Sequence, residues 1–220
     1  GSAGSEVRLT VLTIANGDNT AVMEAINDLN EIVNDDDNLL IFYAGHGARL
    51  STGQNEIGYW LPANAEAPPR DTYWVPNEFV TGHLSRLKAK RVLMVVDSCY
   101  AGLLSTEPSF LLLGGNTAQY SDPEFFRFKL AKRARLLLTS GGDRPVLDGG
   151  AGNHSVFARA FLDALTDNQG VLSGPDLFLR VRDKVTAAAA AAQFEQRPEL
   201  KTIKAAGHEV GDFFFVPRPN

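Results

Sequence analysis

Three short apolar runs along the chain predict buried β-strands. They occupy residues 38–44, 91–97 and 135–141, and each ends in a turn of small or polar residues. Runs of this length without regular polar alternation are typical of strands that are covered on both faces. Two further strands are predicted, one in the β-branched and partly alternating segment 7–14 (VRLTVLTI) and one in the aromatic segment 211–216 (GDFFFV).

Between these strands, apolar residues recur at helical spacing. The pattern predicts helices over residues 19–33, 77–88, 121–133 and 155–165, and a longer one from residue 174 into the alanine tract at 187–192. Residues 48–76 look irregular, apart from a short hairpin arm in IGYWLPANA. Strands that alternate with helices predict an α/β fold with a mostly parallel central sheet and helices on both of its faces.

Two strands of this predicted sheet end in turns that carry a reactive side chain. His46 follows the first of the three apolar runs, and Cys99, the only cysteine of the chain, follows the second. Glycines stand close to both residues. Because the carboxyl ends of parallel strands meet at one edge of a sheet, where ligands and catalytic groups gather, we expect the imidazole and the thiol to be neighbours.

A thiol and an imidazole at one site predict the chemistry of a cysteine peptidase. The thiolate is the nucleophile, and the imidazole can act as its base and later protonate the leaving amine. Backbone N–H groups in glycine-rich turns can stabilise the oxyanion of the tetrahedral intermediate. We therefore predict Cys99 and His46 as the catalytic pair and the N–H groups of Gly47 and Cys99 as the oxyanion hole. Taken singly, each side chain would more often be structural, since a cysteine after an apolar strand is usually a small core residue.

Composition and charge narrow the class of protein. Of 220 residues, 44% are hydrophobic and 21% charged, which predicts one globular domain over residues 7–220. Residues 1–6 (GSAGSE) look like a flexible linker or a cloning scar. The net charge of −5 argues against a nucleic-acid-binding surface, and no apolar stretch reaches the 18 residues of a membrane span. A single cysteine and a start without the features of a secretion signal are typical of a cytoplasmic protein.

No metal or organic cofactor is expected. The remaining histidines, His83, His154 and His208, lack metal-ligand spacing to one another or to Cys99 and are interpreted as surface or capping residues. No G-x-G-x-x-G or Walker sequence occurs. The missing cofactor loop also argues against an acyltransferase or hydrolase that acts on small molecules.

The two motifs FYAGHG and DSCYAG resemble the signature motifs of the caspase-like cysteine peptidases. The likeness is strongest to the bacterial members grouped with metacaspases and orthocaspases, and it extends to RLLLTSGGDRPVLDGG, GNHSVFARAFLDAL and the terminal GDFFFV. His46 lies 53 residues before Cys99, close to the separation of about 50 in caspases. The resemblance implies the caspase fold, with His46 as general base and acid and Cys99 as nucleophile.

The residue two positions before the cysteine sets the expected specificity. Asp97 and Ser98 precede Cys99, as in metacaspases, whereas caspases proper carry Gln-Ala there and accept Asp at the P1 position of the substrate. The resemblance implies that Asp97 lines the P1 pocket. A half-buried carboxylate selects a cation, so cleavage after Arg or Lys is expected. The alternative is that Asp97 is structural and hydrogen-bonds the turn.

The sequence departs from the family pattern in three places. Ala44 stands where metacaspases often have Ser, which removes one pocket hydrogen bond. After the histidine, Glu56 and Glu66 replace the acidic run of calcium-dependent metacaspases, so calcium dependence is not expected. The strand and helix with which the family opens have no counterpart before residue 7, and the family's second acidic pocket residue usually lies there. That piece is either outside this fragment, removed by processing or supplied by another chain.

Segment 103–135 occupies the position at which caspases are cut during activation. It contains Arg127, Lys132, Arg133 and Arg135, the residue types that the predicted pocket accepts. We expect this segment to be self-cleaved or to guard the site, under the control of processing, an activating partner or a fused domain. The alternative is a solvated basic face of a helix.

The leading hypothesis is a bacterial, caspase-like hydrolase that acts on proteins or peptides with a basic P1 residue. Its rival is a catalytically silent pseudopeptidase that binds peptides or partner domains in the same cleft. Retention of both Cys99 and His46 argues against the rival, because a binding module has no need of the pair.

Overall fold

The computed structural model of the chain describes residues 8–53, 55–105, 122–142 and 154–217. The predicted linker at residues 1–6, most of the loop that precedes residue 122, and the Gly/Asp/Pro-rich segment 143–153 lie outside the described residues.

Five helices and nine strands are assigned within the described residues. The helices are α1 (Asn19–Ile32), α2 (Asn77–Arg86), α3 (Pro123–Ala131), α4 (Val156–Thr166) and α5 (Gly174–Ala191). The strands are β1 (Asn38–Ala44), β2 (His46–Thr52), β3 (Asn55–Leu61), β4 (Val75–Pro76), β5 (Arg91–Asp97), β6 (Ala134–Thr139), β7 (Leu172–Ser173), β8 (Glu199–Thr202) and β9 (Phe214–Phe215). None of these helices is both long and apolar enough to cross a membrane.

The central sheet has the strand order β1-β5-β6-β8. Strands β1, β5 and β6 run parallel, and β8 pairs antiparallel with β6. These three parallel strands are the three apolar runs of the sequence, so the predicted mostly parallel sheet is confirmed. The prediction that all three are buried is wrong for β1, which comes first in the strand order and leaves alternate residues exposed, among them Leu40 and Phe42. Strands β2, β3 and β4 form a separate antiparallel sheet, which begins at His46.

Helices cover both faces of the central sheet, as predicted. Strand β5 shows why its sequence is apolar without alternation. Val92, Met94 and Val96 pack into the cluster on the side of α1 and α2, whereas Leu93 and Val95 pack into the cluster on the side of α4 and α5. Every residue from 92 to 96 is therefore buried, which fixes the strand that carries Cys99 at its end.

The prediction of a strand at residues 7–14 is wrong for the described part, residues 8–14. A strand needs hydrogen bonds to a neighbouring strand, and none of the described strands pairs with this segment. Its apolar side chains are left in solvent, with Leu9 75% and Val11 73% exposed. The apolar pattern indicates strand propensity, but it does not supply the partner.

Two other elements differ from the sequence prediction. Residues 48–61, taken as mostly irregular, belong to the regular hairpin of β2 and β3, whose short mixed sequences lack a clear period. The last strand is restricted to Phe214–Phe215 and pairs with β7 in a two-stranded ribbon. The aromatic run at this end packs ring against ring, with Phe213 and Phe215 centroids 5.1 Å apart.

Candidate active site

The register of β1 against β5 brings the two predicted catalytic turns to the same sheet edge. Ala44 pairs with Asp97 at the carboxyl ends of the strands. The Gly45 N–H then donates to the Asp97 carbonyl at 3.3 Å and continues the contact one residue beyond β1. His46 and Cys99 each follow the last paired residue by two positions.

The backbone after His46 touches the backbone of Cys99. A Cβ atom at Gly47 would lie 2.2 Å from the Cys99 carbonyl oxygen and 2.6 Å from the Ser98 Oγ. No side chain fits into that space, so the glycine permits the close approach of the two turns. His46 is exposed and Cys99 is partly exposed, so both residues are open to solvent at this edge.

The turn that carries Cys99 has an unusual backbone conformation. Tyr100 follows the cysteine with φ 58° and ψ 20°, in the left-handed region that residues other than glycine rarely adopt. A short 3-10 turn, Ala101–Leu104, comes next. The Gly102 N–H donates to the Gly142 carbonyl at 3.0 Å, which braces the turn against the segment after β6. A strained residue that its surroundings hold in place is common next to catalytic groups.

Tyr43, which sequence reasoning missed, holds the His46 turn. Its hydroxyl donates to the His46 carbonyl at 2.8 Å. Its ring stacks on Trp60 with centroids 4.0 Å apart and planes 6° from parallel. Burial raises the pKa of the Tyr43 phenol, so the group remains a donor at neutral pH. The tyrosine thus ties β1 to both ends of the β2–β3 hairpin at the point where His46 stands.

Asp97 is partly buried and faces the start of α4. The Ser155 hydroxyl donates to the Asp97 Oδ2 atom. Ser155 is also the N-cap of α4, and the Ser155 Oγ accepts the Ala158 N–H at 2.9 Å. The Asp97 carboxylate, which is predicted to line the P1 pocket, therefore lies beside a helix N-terminus, where a negative charge is stabilised. The serine before VFARAF signals a cap, but no signal in the sequence links it to Asp97.

The hairpin beside the site carries its own ion pair. Arg49 pairs with Glu56 at 3.2 Å, and its guanidinium lies over the Tyr100 ring, 5.2 Å from the centroid. Glu66 pairs with Arg70 at 3.6 Å. Within the part of the chain that the structure describes, no three His, Cys, Asp or Glu side chains form a group that could hold a metal ion.

The other histidines lie in three different environments. His83 contacts the Phe79 carbonyl through Nδ1 at 2.8 Å, and His154 is exposed. The sequence predicts that His208 is a surface or capping residue. It is partly buried, and its Nδ1 atom accepts the Arg135 N–H at 3.1 Å. Burial, followed by the charges of Lys129 and Arg135, lowers the pKa of His208 to about 4.

Comparisons with known proteins agree with this architecture. The family model described as "Caspase domain" matches residues 5–206. A solved structure described as protein GSU0716 from Geobacter sulfurreducens superposes with a TM-score of 0.50 and 15% sequence identity, over 86% of this chain and 74% of that chain. At this identity the likeness concerns the fold alone. None of the curated proteins matches the chain.

Proposed function

This chain belongs to the caspase domain family, since the family model spans residues 5–206 of its 220, and we propose that it is a cysteine endopeptidase with Cys99 as nucleophile and His46 as general base and acid. Membership of the family supports cysteine peptidase activity. One observation supports the residue assignment, namely that the two turns carrying His46 and Cys99 meet at the carboxyl edge of adjacent parallel strands, with Gly47 against the Cys99 backbone.

The proposed reaction has two steps. The Cys99 thiolate attacks the carbonyl carbon of the scissile peptide bond, and the N–H groups of Gly47 and Cys99 stabilise the oxyanion that forms. The His46 imidazolium protonates the leaving amine as the carbon–nitrogen bond breaks. In the second step, His46 takes a proton from water, and the hydroxide attacks the thioester. The carbon–sulfur bond breaks, which releases the acid product and restores the Cys99 thiolate beside the His46 imidazolium.

Asp97 is the proposed P1 specificity residue. It ends β5 two positions before the nucleophile, is partly exposed, and belongs to the same sheet edge as His46 and Cys99. A carboxylate at this place favours a substrate with a cationic side chain before the scissile bond. We therefore propose cleavage after Arg or Lys.

Processing of segment 103–135 is also proposed, with one correction to the candidate bonds. Arg135 is fully buried within β6, and its guanidinium donates to the backbone carbonyls of Leu87, Lys90 and Ala134. The bond after Arg135 is therefore closed to a peptidase while the chain is folded. Arg127 of α3, and Lys132 and Arg133 directly after it, are better candidates, because none of the residues of α3 is fully buried and such a helix can open locally.

A library of fluorogenic peptides that differ only at P1 tests the proposal. We expect turnover after Arg and Lys by the wild-type protein, none by Cys99→Ala, and a preference for neutral P1 residues in Asp97→Asn, which keeps a hydrogen-bond acceptor but removes the charge. Fragments that appear on a gel for wild type and not for Cys99→Ala would support self-processing. Wild-type protein that binds these peptides but never cleaves them would favour the pseudopeptidase, and turnover only after Asp would contradict the P1 assignment.

A further inference from the structure

We infer that Ser155 is a specificity-positioning residue, which fixes the direction of the Asp97 carboxylate and thereby the preference for a cationic P1 side chain. This inference rests on the proposed function, because it assigns a role within the same P1 pocket. Ser155 belongs to α4, whereas Asp97 ends β5, 58 positions earlier in the chain.

The Ser155 hydroxyl makes two hydrogen bonds of opposite direction. Its oxygen accepts the Ala158 N–H at 2.9 Å, as an N-cap does, and its proton goes to Asp97 Oδ2. A hydroxyl has one proton and two lone pairs, so it can serve the helix and the carboxylate together. The bond from the Ala158 N–H fixes the position of the Ser155 oxygen. The bond from the serine hydroxyl to Oδ2 then fixes the direction of the Asp97 carboxylate.

Helix α4 is a firm base for this contact. Phe157 and Phe161 are 0% and 3% exposed and pack in the cluster on that face of the sheet. Phe161 also lies 5.7 Å from Phe42 of β1, ring centroid to ring centroid. The start of α4 is thus held against the same sheet that carries Asp97. Rotation of the Asp97 side chain away from Ser155 would therefore break the hydrogen bond, because the serine is fixed in place.

A fixed carboxylate affects recognition more than binding in general. A cationic P1 group gains from Asp97 only when the carboxylate points to it, and an unfixed side chain must lose rotamer freedom on each binding event. Loss of the serine hydroxyl should therefore reduce selectivity for a cation, while a neutral P1 residue, which does not use the charge, is affected much less.

The experiment compares two variants of Ser155 with a matched variant of another cap. Ser155→Gly removes the hydroxyl but keeps a residue that is tolerated at an N-cap, and Ser155→Thr keeps the hydroxyl. Ser173→Gly is the control, because Ser173 caps α5 in the same manner, accepts the Asp176 N–H at 3.2 Å and donates to Asp176 Oδ2 at 2.7 Å. The readouts are the ratio of kcat/KM for Arg to that for its uncharged analogue citrulline at P1, the inhibition constant of benzamidine, and Tm.

We expect Ser155→Gly to lower the Arg-to-citrulline ratio by about 10- to 150-fold, the range for loss of a hydrogen bond to a charged group. Benzamidine, which carries a cationic amidine and needs no turnover, should bind more weakly by a similar factor. Ser155→Thr should restore both values, and Ser173→Gly should change Tm but neither selectivity readout.

Two results would overturn the inference, and they differ from failure of the proposed function. An Arg-to-citrulline ratio and a benzamidine constant that stay at wild-type values in Ser155→Gly would contradict it, whatever happens to Tm. Equal selectivity losses in Ser155→Gly and Ser173→Gly would do the same, since they would reflect general loosening. A wild-type protein that shows no preference for Arg over citrulline would instead remove the proposed P1 role of Asp97 itself.

Discussion

Tyr43 illustrates how a single side chain can hold the turn that carries a proposed catalytic residue. The His46 turn contains glycine on both sides, so its own sequence does little to hold it. The tyrosine hydroxyl contributes rigidity by donating to the His46 carbonyl, while Trp60 holds its ring. The position of the His46 turn therefore depends on a residue outside the proposed catalytic pair.

Replacement of Tyr43 by Phe should separate this role from ring packing. The ring still stacks on Trp60, but the His46 carbonyl loses the hydroxyl donor. We expect kcat/KM for an Arg peptide to fall about tenfold, mainly through kcat, from loss of the hydrogen bond that orients the turn of the proposed base. Steady-state kinetics measure this effect. Tyr59→Phe is the control, because the Tyr59 ring packs on Trp74 on the opposite face of β3. Equal kinetics in the Tyr43 and Tyr59 variants would contradict the role.

His208 should make the stability of the fold depend on pH. Its pKa is lowered to about 4 in the folded chain, first by burial and then by Lys129 and Arg135, whereas an unfolded histidine titrates near pH 6.5. Between these values the unfolded chain binds more protons, so the free energy of unfolding should fall as the pH drops from about 6.5 to about 4. Above this window the contribution is fully present.

Urea denaturation of wild type and His208→Asn at pH 7.5, 6 and 5 measures this dependence. Asparagine can still accept the Arg135 N–H but does not titrate, so the variant should lose stability less steeply on acidification than the wild type. Identical slopes in the two proteins would show that His208 does not carry the effect.

At the residue level, the sequence predicts candidate site residues where chemistry and strand position coincide. His46, Cys99 and Asp97 could be proposed because each ends an apolar run, and the structure places all three at one sheet edge. Tyr43 and Ser155 could not be found in this way. Trp60, on which Tyr43 stacks, and Asp97, which Ser155 contacts, are distant in sequence from these residues. An aromatic in a strand or a serine before a helix also has an ordinary structural explanation.

At the scale of elements, continuous apolar runs were the most informative signal. Strands β1, β5 and β6 lie where their sequences predict. Side chains of β5 and β6 pack into the cores on both faces of the sheet, whereas β1 packs into one core only and leaves Leu40 and Phe42 exposed. The hairpin of β2 and β3 was underestimated, since its order comes from pairing across the turn rather than from a period within either strand. Residues 8–14 show the converse, with a strand-like pattern and no paired neighbour among the described strands.

Gly47, at the contact between the two turns, relates the packing of the strands to the geometry of the proposed catalytic pair. Because a Cβ at Gly47 would overlap the Cys99 carbonyl at 2.2 Å, the spacing of the β1 and β5 ends is set by backbone contact rather than by long side chains. Distances fixed in this way vary little, which suits a reaction that passes a proton between groups on two strands.

At the scale of the whole molecule, the site lies at an edge of the sheet between two packed cores. One core joins α1 and α2 to the sheet, and the other joins α4 and α5 to its opposite face. Strand β5 contributes side chains to both, so the strand that carries the proposed nucleophile at its end is held from both faces of the sheet. Helix α3, with no fully buried residue, lies at the other extreme and is where processing is expected.

The central claim is that Cys99 and His46 act as one unit across neighbouring strand ends. A double-mutant cycle on kcat/KM for a fluorogenic Arg peptide, with Cys99→Ala, His46→Ala and the double variant, tests it most directly. We predict that each single variant loses activity by at least about a thousandfold and that the double variant loses no more than the worse single one. His46→Ala with near wild-type activity, or losses that simply multiply in the double variant, would show that the two groups do not work together.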